Sequence, residues 1–340
     1  MSEALPIHRV LTPEGALVGE DVALDDPGRL GIYRSMRLVR RLDERMLNLQ
    51  RQGRVGFYGT CTGQEAGGVG IAAGLRDEDW IFPGLREGGA MLHRGYPLVP
   101  YLAQVFGNAA DPHLGRQMPS HQAGKSVAFV SWSSCIGNQL PQAVGAGVAM
   151  RLRGSEEIAV GCCGDGATST GDFQVALASA VALQSRCLFV VQNNHWAISI
   201  PTAAQTRARS IADKATAHGI PRARVDGNDA PAIWSAVREA AEHVRQGKGP
   251  ALLELVTYRI GAHSSSDDPS VYRDGAEVEV WKARDPLTRM RAHLERRGIW
   301  GAEAEAEFQA RLDREIDAAI ASAEPVAPIS ADRLEVGVWA

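Results

Sequence analysis

Short, mostly apolar segments alternate with helix-like segments in the middle of this 340-residue sequence. Residues 157–163 and 187–192 are two such apolar runs, and residues 172–183 between them are rich in Ala, Leu and Val. A continuous apolar run of this length is typical of a parallel strand that is buried on both faces. The sequence therefore predicts a βαβ unit, in which two parallel strands flank one helix.

The same alternation recurs further along the chain. Strands are predicted at 222–226 and 251–258, with a helix at 230–245 between them. Repetition of this kind predicts an α/β fold with a doubly wound, mostly parallel sheet that is covered by helices on both faces. Apolar residues at three- and four-residue steps predict an amphipathic helix at 29–52, and charge-rich helical sequence follows from about 285 to 323.

These patterns divide the chain into three parts. Residues 1–28 contain several Pro and Asp residues and lack periodicity, which predicts an extended N-terminal arm. Residues 29–275 form the predicted α/β domain, and residues 276–340 form a C-terminal helical extension and tail.

Composition excludes some classes of partner. The formal net charge of -4 and the absence of a basic run give no surface that would attract nucleic acid. No window approaches the roughly 18 apolar residues that a membrane span requires, and the first residues lack the pattern of a targeting peptide. We therefore expect a cytoplasmic protein that binds neither nucleic acid nor membrane.

The cysteines indicate neither a disulfide framework nor a zinc site. They are odd in number, form no C-x-x-C pair and show no ligand spacing with histidine. Most lie in apolar segments, so we expect reduced, buried thiols at Cys61, Cys135, Cys162, Cys163 and Cys187.

Polar residues follow both strands of the first βαβ unit. Gly164-Asp165-Gly166 comes after the first strand, and Asn193-Asn194 comes after the second. Ligands of an open parallel sheet bind outside the carboxyl ends of its strands, so both motifs would lie at the same edge. The glycines let the backbone approach a diphosphate, while Asp165 and Asn194 offer one anionic and one neutral oxygen to Mg²⁺.

Each of these motifs also has a simpler interpretation. Gly-Asp-Gly and Asn-Asn are both common in turns, and either one alone is better explained as a turn. Their joint position, each directly after an apolar strand with one helix between them, favours a magnesium diphosphate clamp.

Several segments together resemble one family. The two polar motifs are similar to the thiamine diphosphate signature, and four further segments resemble alpha subunits of branched-chain 2-oxo acid dehydrogenases. These segments are 53–58 (GRVGFY), 115–121 (GRQMPSH), 224–229 (RVDGND) and 257–273 (TYRIGAHSSSDDPSVYR). The resemblance covers nearly the whole chain and implies the thiamine diphosphate-binding fold.

The resemblance also implies roles for individual residues. Mg²⁺ would be bound by the side chains of Asp165 and Asn194 and by the carbonyl of Trp196, with Gly164, Gly166 and Ala167 beside the diphosphate. Three side chains would contact the rest of the cofactor: Arg86 at the phosphates, and Ser134 and Ile136 at its middle. A potassium site is implied at Ser133, Cys135, Asn138 and Gln139.

His263 is the catalytic side chain that the resemblance implies, with a part in the reductive acylation of a lipoyl group. A histidine suits proton transfer near neutral pH. Without the surrounding motif, a loop histidine whose neighbours satisfy it would be the more common case. The adjacent Ser264 aligns with a regulatory phosphorylation site of mitochondrial relatives, and that regulation is not carried over to this chain.

Four positions depart from the family pattern: Gly84, Leu85, Gln192 and Ala262. Gln192 replaces an arginine of some relatives, which removes a second phosphate cation. Ala262 replaces one of two adjacent histidines and leaves His263 alone.

The resemblance implies the oxidative decarboxylation of branched-chain 2-oxo acids of the 3-methyl-2-oxobutanoate type, with acyl transfer to a lipoyl domain. The chain would act as the alpha subunit of an alpha-beta heterotetramer, with a beta subunit and a lipoyl-bearing transacylase core as partners. In this family the carboxylate that activates thiamine lies on the beta subunit. Two alternatives stay open: a pyruvate or acetoin dehydrogenase alpha subunit, and a non-catalytic scaffold subunit.

Overall fold

The computed structural model describes residues 5–337. Its strands are β1 (Ile7–His8), β2 (Trp80–Phe82), β3 (Ala159–Gly164), β4 (Cys187–Asn193), β5 (Trp196–Ala197), β6 (Ile200–Pro201), β7 (Arg222–Asp226) and β8 (Ala251–Val256). Its α-helices are α1 (Asp26–Arg51), α2 (Glu65–Gly74), α3 (Gly88–His93), α4 (Leu98–Phe106), α5 (Gln139–Arg153), α6 (Gly171–Ala182), α7 (Thr202–Gln205), α8 (Ala230–Arg245), α9 (Gly275–Lys282), α10 (Pro286–Arg296) and α11 (Ala302–Ala323). Residues 1–4 of the predicted arm and 338–340 of the predicted tail lie outside this range.

Six strands form one sheet in the order β1-β7-β8-β4-β3-β2, and all neighbouring strands are parallel. Successive side chains of β3 and β4 point to opposite faces. Val160 and Leu188 belong to an apolar cluster with α1, α2 and α8, whereas Cys163 and Phe189 belong to a second cluster with α5 and α6. Helices therefore cover both faces, which confirms the predicted α/β class.

The first helix begins earlier than predicted. The predicted start was residue 29, but α1 starts at Asp26 because the side chain of Asp25 accepts a hydrogen bond from the amide of Gly28 at 2.9 Å. Pro27 occupies the first turn, where its missing N–H costs nothing. The strand at 222–226 and the helix at 230–245 have the predicted bounds.

The N-terminal segment contributes to the sheet, which the sequence did not indicate. Its two-residue strand β1 pairs in parallel with β7, opposite Arg224 and Val225. The carboxylate of Asp229 accepts hydrogen bonds from the amides of Val10 and Leu11, at 2.8 and 2.6 Å. The segment 224–229 therefore anchors the N-terminal arm.

The C-terminal helices pack against α1. Side chains of α1 and α11 pair at four-residue steps, so the two helices run parallel: Arg37 with Gln309, Arg41 with Asp313 and Arg45 with Asp317. Apolar residues of α11 such as Leu312 and Ile316 are buried beneath these pairs. Helix α9 lies almost wholly within the predicted C-terminal extension but ahead of the helical sequence predicted from about 285; it has no buried residue and hence no apolar periodicity.

Four of the five thiols are buried, as expected, but Cys135 is exposed. It lies in the loop of residues 131–138 rather than in a packed element. None of the helices within residues 5–337 has both the length and the apolar character that a membrane crossing demands.

Gly74 allows α2 and α8 to approach closely. A Cβ at this position would lie 2.8 Å from Cβ of Val237 and 2.9 Å from the carbonyl oxygen of Trp234. We expect Gly74→Ala to lower the free energy of unfolding by about 1–3 kcal/mol, because the two helices must separate. Urea unfolding of the purified chain measures this change.

The matched control is Gly145→Ala, on the exposed side of α5, where an added Cβ meets nothing within 4 Å. We expect this variant to gain about 0.5–1 kcal/mol from helix propensity. Equal effects of the two substitutions would contradict close packing at Gly74.

Candidate active site

Two loops of the site leave the sheet at the same edge. Gly164 in β3 pairs with Gln192 in β4, so Asp165 and Asn193 are brought to adjacent strand ends. The hydroxyl oxygen of Thr202 lies 3.0 Å from Oδ2 of Asp165 and 3.2 Å from Oδ1 of Asn193. One side chain thus links the loop after β3 to the loop after β4.

The loop after β3 can approach its neighbour closely because it contains Gly166. A Cβ at Gly166 would lie only 2.7 Å from Cβ of Ala197, and the adjacent Ala167 is buried. The loop then enters α6, where the hydroxyl of Thr170 caps the first turn. The amino end of a helix favours negative charge, so this loop suits an anion such as a phosphate.

The three oxygens expected to bind Mg²⁺ differ in their hydrogen bonds. Oδ2 of Asp165 accepts from Thr202 and from Gln205, the latter at 2.8 Å, while Oδ1 accepts no hydrogen bond from residues 5–337. The Asn194 amide oxygen accepts from the backbone N–H of Trp196 at 3.2 Å. The carbonyl of Trp196 accepts a longer bond, 3.3 Å, from Arg259. A buried carboxylate with one oxygen that accepts no hydrogen bond from the described residues is the kind of hard ligand that Mg²⁺ prefers.

Arg86 is a buried cation. It is 6% exposed, and it donates to the carbonyl of Thr60 and, at 2.9 Å, to the carbonyl of His263. It forms no ion pair with a carboxylate within residues 5–337. Burial lowers the pKa of this guanidinium. A charge held in this way favours a bound anion, because carbonyl groups recover only part of the lost solvation.

His263 lies beside Arg86. Its Nδ1 is 3.5 Å from the Arg86 Nη2, and its backbone N–H donates to Asp267 at 2.6 Å. Burial, together with the charges of Arg86 and Arg259, lowers the pKa of His263 from 6.5 to about 4. The imidazole is therefore neutral near pH 7 and can accept a proton.

The loop of residues 131–138 carries the remaining predicted side chains. Ser134 and Ile136 are exposed, the latter by 58%. The hydroxyl oxygen of Ser133 accepts from the amide of Cys135 at 3.2 Å and from Asn138 at 3.3 Å. The side-chain oxygen of Asn138 is buried and has no partner within the described residues. The side chain of Gln139 is partly engaged outside this loop, since its amide nitrogen donates to the carbonyl of Cys162.

Comparison with known proteins identifies the family. Residues 33–330 match the family model for the dehydrogenase E1 component. The 2-oxoisovalerate dehydrogenase subunit alpha 2 of Arabidopsis thaliana is 41% identical over 325 residues, which cover 95% of this chain and 69% of the relative. The corresponding alpha subunit of Bos taurus is 39% identical, over 94% of this chain and 71% of its own length. The alpha subunit of Caenorhabditis elegans is 40% identical, over 94% of this chain and 75% of its own length.

The chain belongs to the dehydrogenase E1 component family. This confirms the resemblance drawn from the sequence motifs and the prediction of an enzyme subunit of the dehydrogenase alpha type. The match extends through five of the six strands of the sheet, the site loops and most of the C-terminal extension, and it begins after β1.

Sequence reasoning missed two charged residues of the candidate site. Asp43 accepts hydrogen bonds from the Tyr58 hydroxyl, the Cys61 amide and the Thr62 hydroxyl, at 3.0, 2.7 and 3.1 Å. It thereby fixes the loop whose Thr60 carbonyl holds Arg86. Burial, with a smaller contribution from Glu65, raises the pKa of Asp43 to about 7. The available signal was a carboxylate on the apolar face of α1.

Arg259 is the second missed residue. It is 1% exposed and donates to the carbonyls of Trp196 and Ile198 and to the hydroxyl of Tyr272. Burial and the charge of Arg86 lower the pKa of Arg259. It too lacks a carboxylate partner among residues 5–337, so Arg86 and Arg259 are both buried cations near the candidate site. The sequence feature that could have indicated Arg259 was its position in the family-like segment 257–273.

The departure at Gln192 has a structural consequence. Its side-chain nitrogen donates to Glu87 at 2.5 Å, and both residues are buried. Burial raises the pKa of Glu87. A Cβ at the neighbouring Gly84 would lie 3.2 Å from the second oxygen of Glu87. Gln192 is therefore held by Glu87 and brings no charge to the site.

The lowered pKa of His263 has a measurable effect on stability. Between the unfolded value of 6.5 and the folded value of about 4, the unfolded chain binds more protons, so stability decreases as the pH falls through this window. We expect acidification from about pH 7 to about pH 5 to lower the Tm of the wild type more than that of His263→Asn. Thermal unfolding followed by circular dichroism measures both differences. If acidification lowers the Tm of both proteins by the same amount, the imidazole is not held neutral by burial.

Proposed function

We propose that this chain is the alpha subunit of a 2-oxo acid dehydrogenase and that it takes part in the oxidative decarboxylation of branched-chain 2-oxo acids such as 3-methyl-2-oxobutanoate. The observation that carries the proposal is the identity of 38–41% with 2-oxoisovalerate dehydrogenase alpha subunits over 94–95% of the chain. Its cytoplasmic location stays a prediction.

The anion-binding groups support thiamine diphosphate as the cofactor. Arg86 and Arg259 are buried without a carboxylate partner among the described residues, and a diphosphate would supply the missing negative charge. Gly166 lets the loop after β3 pack closely against Ala197, and the loop leads into the amino end of α6, which favours negative charge. When bound, thiamine diphosphate supplies the electron sink for decarboxylation.

Asp165, Asn194 and the Trp196 carbonyl would hold Mg²⁺. Within residues 5–337 no group of three His, Cys, Asp or Glu side chains could bind a metal alone, so phosphate oxygens would complete the shell. A potassium ion at Ser133, Cys135, Asn138 and Gln139 would satisfy the buried oxygen of Asn138.

His263 would transfer the proton during acylation of the lipoyl group. Its lowered pKa keeps the imidazole neutral, which is the state that accepts a proton. Its carbonyl oxygen holds Arg86, so the base and the phosphate-binding cation occupy fixed relative positions.

Exposed apolar side chains around the site support a beta subunit as partner. Met118, Ile136, Ile198 and Val271 are 55–80% exposed and stand on the loops that carry or adjoin the site residues. Large apolar side chains exposed on several loops of one site are typical of a surface that another chain covers. We infer an alpha-beta heterotetramer in which the beta subunit supplies the acid that activates thiamine, and whose acyl product passes to a lipoyl-bearing transacylase core.

Asp165 provides the test of the cofactor. We expect Asp165→Ala to weaken thiamine diphosphate binding by the reconstituted alpha-beta assembly roughly 100-fold in the presence of Mg²⁺, equivalent to about 2.8 kcal/mol. The cause is the loss of the anionic metal ligand, and calorimetry measures the affinity. Asp77→Ala removes an exposed carboxylate ahead of β2, at the opposite edge of the sheet, and should bind like the wild type. Unchanged affinity in Asp165→Ala would favour a scaffold subunit.

Activity of the reconstituted enzyme tests the reaction and the substrate. With an artificial electron acceptor, we expect no oxidation by the chain alone and turnover after addition of the beta subunit. We expect kcat/KM for 3-methyl-2-oxobutanoate to exceed that for pyruvate by about tenfold or more, since each added methyl or methylene group in an apolar pocket is worth about 1–3 kcal/mol. A preference for pyruvate would favour the pyruvate dehydrogenase alternative, and activity without a beta subunit would refute the subunit role.

A further inference from the structure

A buried histidine contacts one of the site residues. His121 ends the segment 115–121, to which the proposed function gives no role. It is 4% exposed, and its ring lies against the indole of Trp132, with centroids 3.9 Å apart. Its Nε2 is 2.7 Å from the hydroxyl oxygen of Ser134, an exposed residue that is predicted to contact the cofactor. The buried ring of His121 therefore contacts an exposed hydroxyl group.

The hydrogen bonds of His121 determine its tautomer. Nδ1 lies 3.1 Å from the carbonyl oxygen of Pro119, which can only accept, so Nδ1 carries the hydrogen. Burial lowers the pKa of His121, which keeps the ring neutral near pH 7 and leaves Nε2 without a hydrogen. The Ser134 hydroxyl must then donate to Nε2.

We propose that His121 is a positioning residue that fixes the Ser134 hydroxyl, so that its oxygen presents only lone pairs to the molecule in the site. This inference rests on the proposed function, with thiamine diphosphate bound, and on the contact of Ser134 with this cofactor that the family resemblance implies. A free serine hydroxyl rotates and can donate or accept. With its hydrogen committed to His121, Ser134 accepts from an N–H or O–H of the bound molecule and does not donate to it.

A double-mutant cycle on the reconstituted alpha-beta assembly tests this coupling. His121→Phe keeps a ring against Trp132 but removes the acceptor, whereas His121→Gln keeps an acceptor at the place of Nε2. Ser134→Ala removes the hydroxyl itself. The affinity for thiamine diphosphate with Mg²⁺, from quenching of tryptophan fluorescence, is measured together with kcat/KM. His113→Phe, in the same loop, is the matched control and should behave as the wild type.

We expect His121→Phe and Ser134→Ala each to lower the affinity and kcat/KM about fivefold, the effect of one hydrogen bond. The double variant should equal Ser134→Ala alone, and His121→Gln should recover most of the loss. Circular dichroism verifies that each variant is folded, and His121→Asn, whose amide is too short to reach Ser134, replaces His121→Phe if the latter does not fold.

Two results would overturn the inference. Multiplied effects in the double variant, about 25-fold, would mean that His121 does not act through Ser134. Equal losses in His121→Gln and His121→Phe would mean that the ring matters only for packing. Failure of the wild-type assembly to bind thiamine diphosphate would contradict the proposed function as well, whereas failures confined to the variants bear on His121 alone.

Discussion

Two positive charges buried without counter-charges determine the character of this site. Arg86 and Arg259 donate to carbonyl oxygens and a tyrosine hydroxyl, and neither meets a carboxylate within residues 5–337. Removing a guanidinium from water costs several kcal/mol, and neutral acceptors recover only part of that cost. The surrounding fold must therefore hold both cations in place. Asp43 does so for Arg86 by ordering the loop that contains Thr60. An anion placed between these cations would return the lost stability, which is why the site suits a diphosphate.

The same two arginines connect loops that are distant in sequence. Arg86 joins the Thr60 loop to His263, and Arg259 joins the β5 loop to Tyr272. Tyr272 in turn donates to Asp267, which accepts the backbone N–H of His263. Arg86, Arg259 and the backbone of His263 and Trp196 thus belong to one hydrogen-bond network. An anion that reduces the repulsion among Arg86, Arg259 and His263 would also shift the pKa of that histidine back toward its ordinary value.

The local sequence pattern was sufficient to predict those elements whose burial determines where their apolar residues stand. β7 and α8 have their predicted bounds, and the loops after β3 and β4 meet because parallel strands end at a common edge. Local pattern failed where the cause is a distant contact. The two-residue strand β1 exists because β7 offers an edge, and α9 has no buried face. Asp43 and Arg259 could be recognised as charged but not as site residues, since their partners lie 13 to 63 positions away along the chain.

The segments 224–229 and 257–273 both resemble the family, but they have different structural roles. In 224–229, the carboxylates of Asp226 and Asp229 pair with Arg289 and hold the N-terminal arm, so this segment fastens the ends of the chain to the sheet. In 257–273, Arg259, His263 and Asp267 build the site itself. Sequence similarity alone does not distinguish these roles, because both kinds of residue are costly to replace. Replacing an arm-holding carboxylate leaves a buried charge unpaired, and replacing a site residue disrupts the candidate anion site. Their contacts do distinguish the two roles. By the same criterion His121 resembles the second kind, since its one acceptor atom, Nε2, contacts the hydroxyl of an exposed predicted site residue, Ser134.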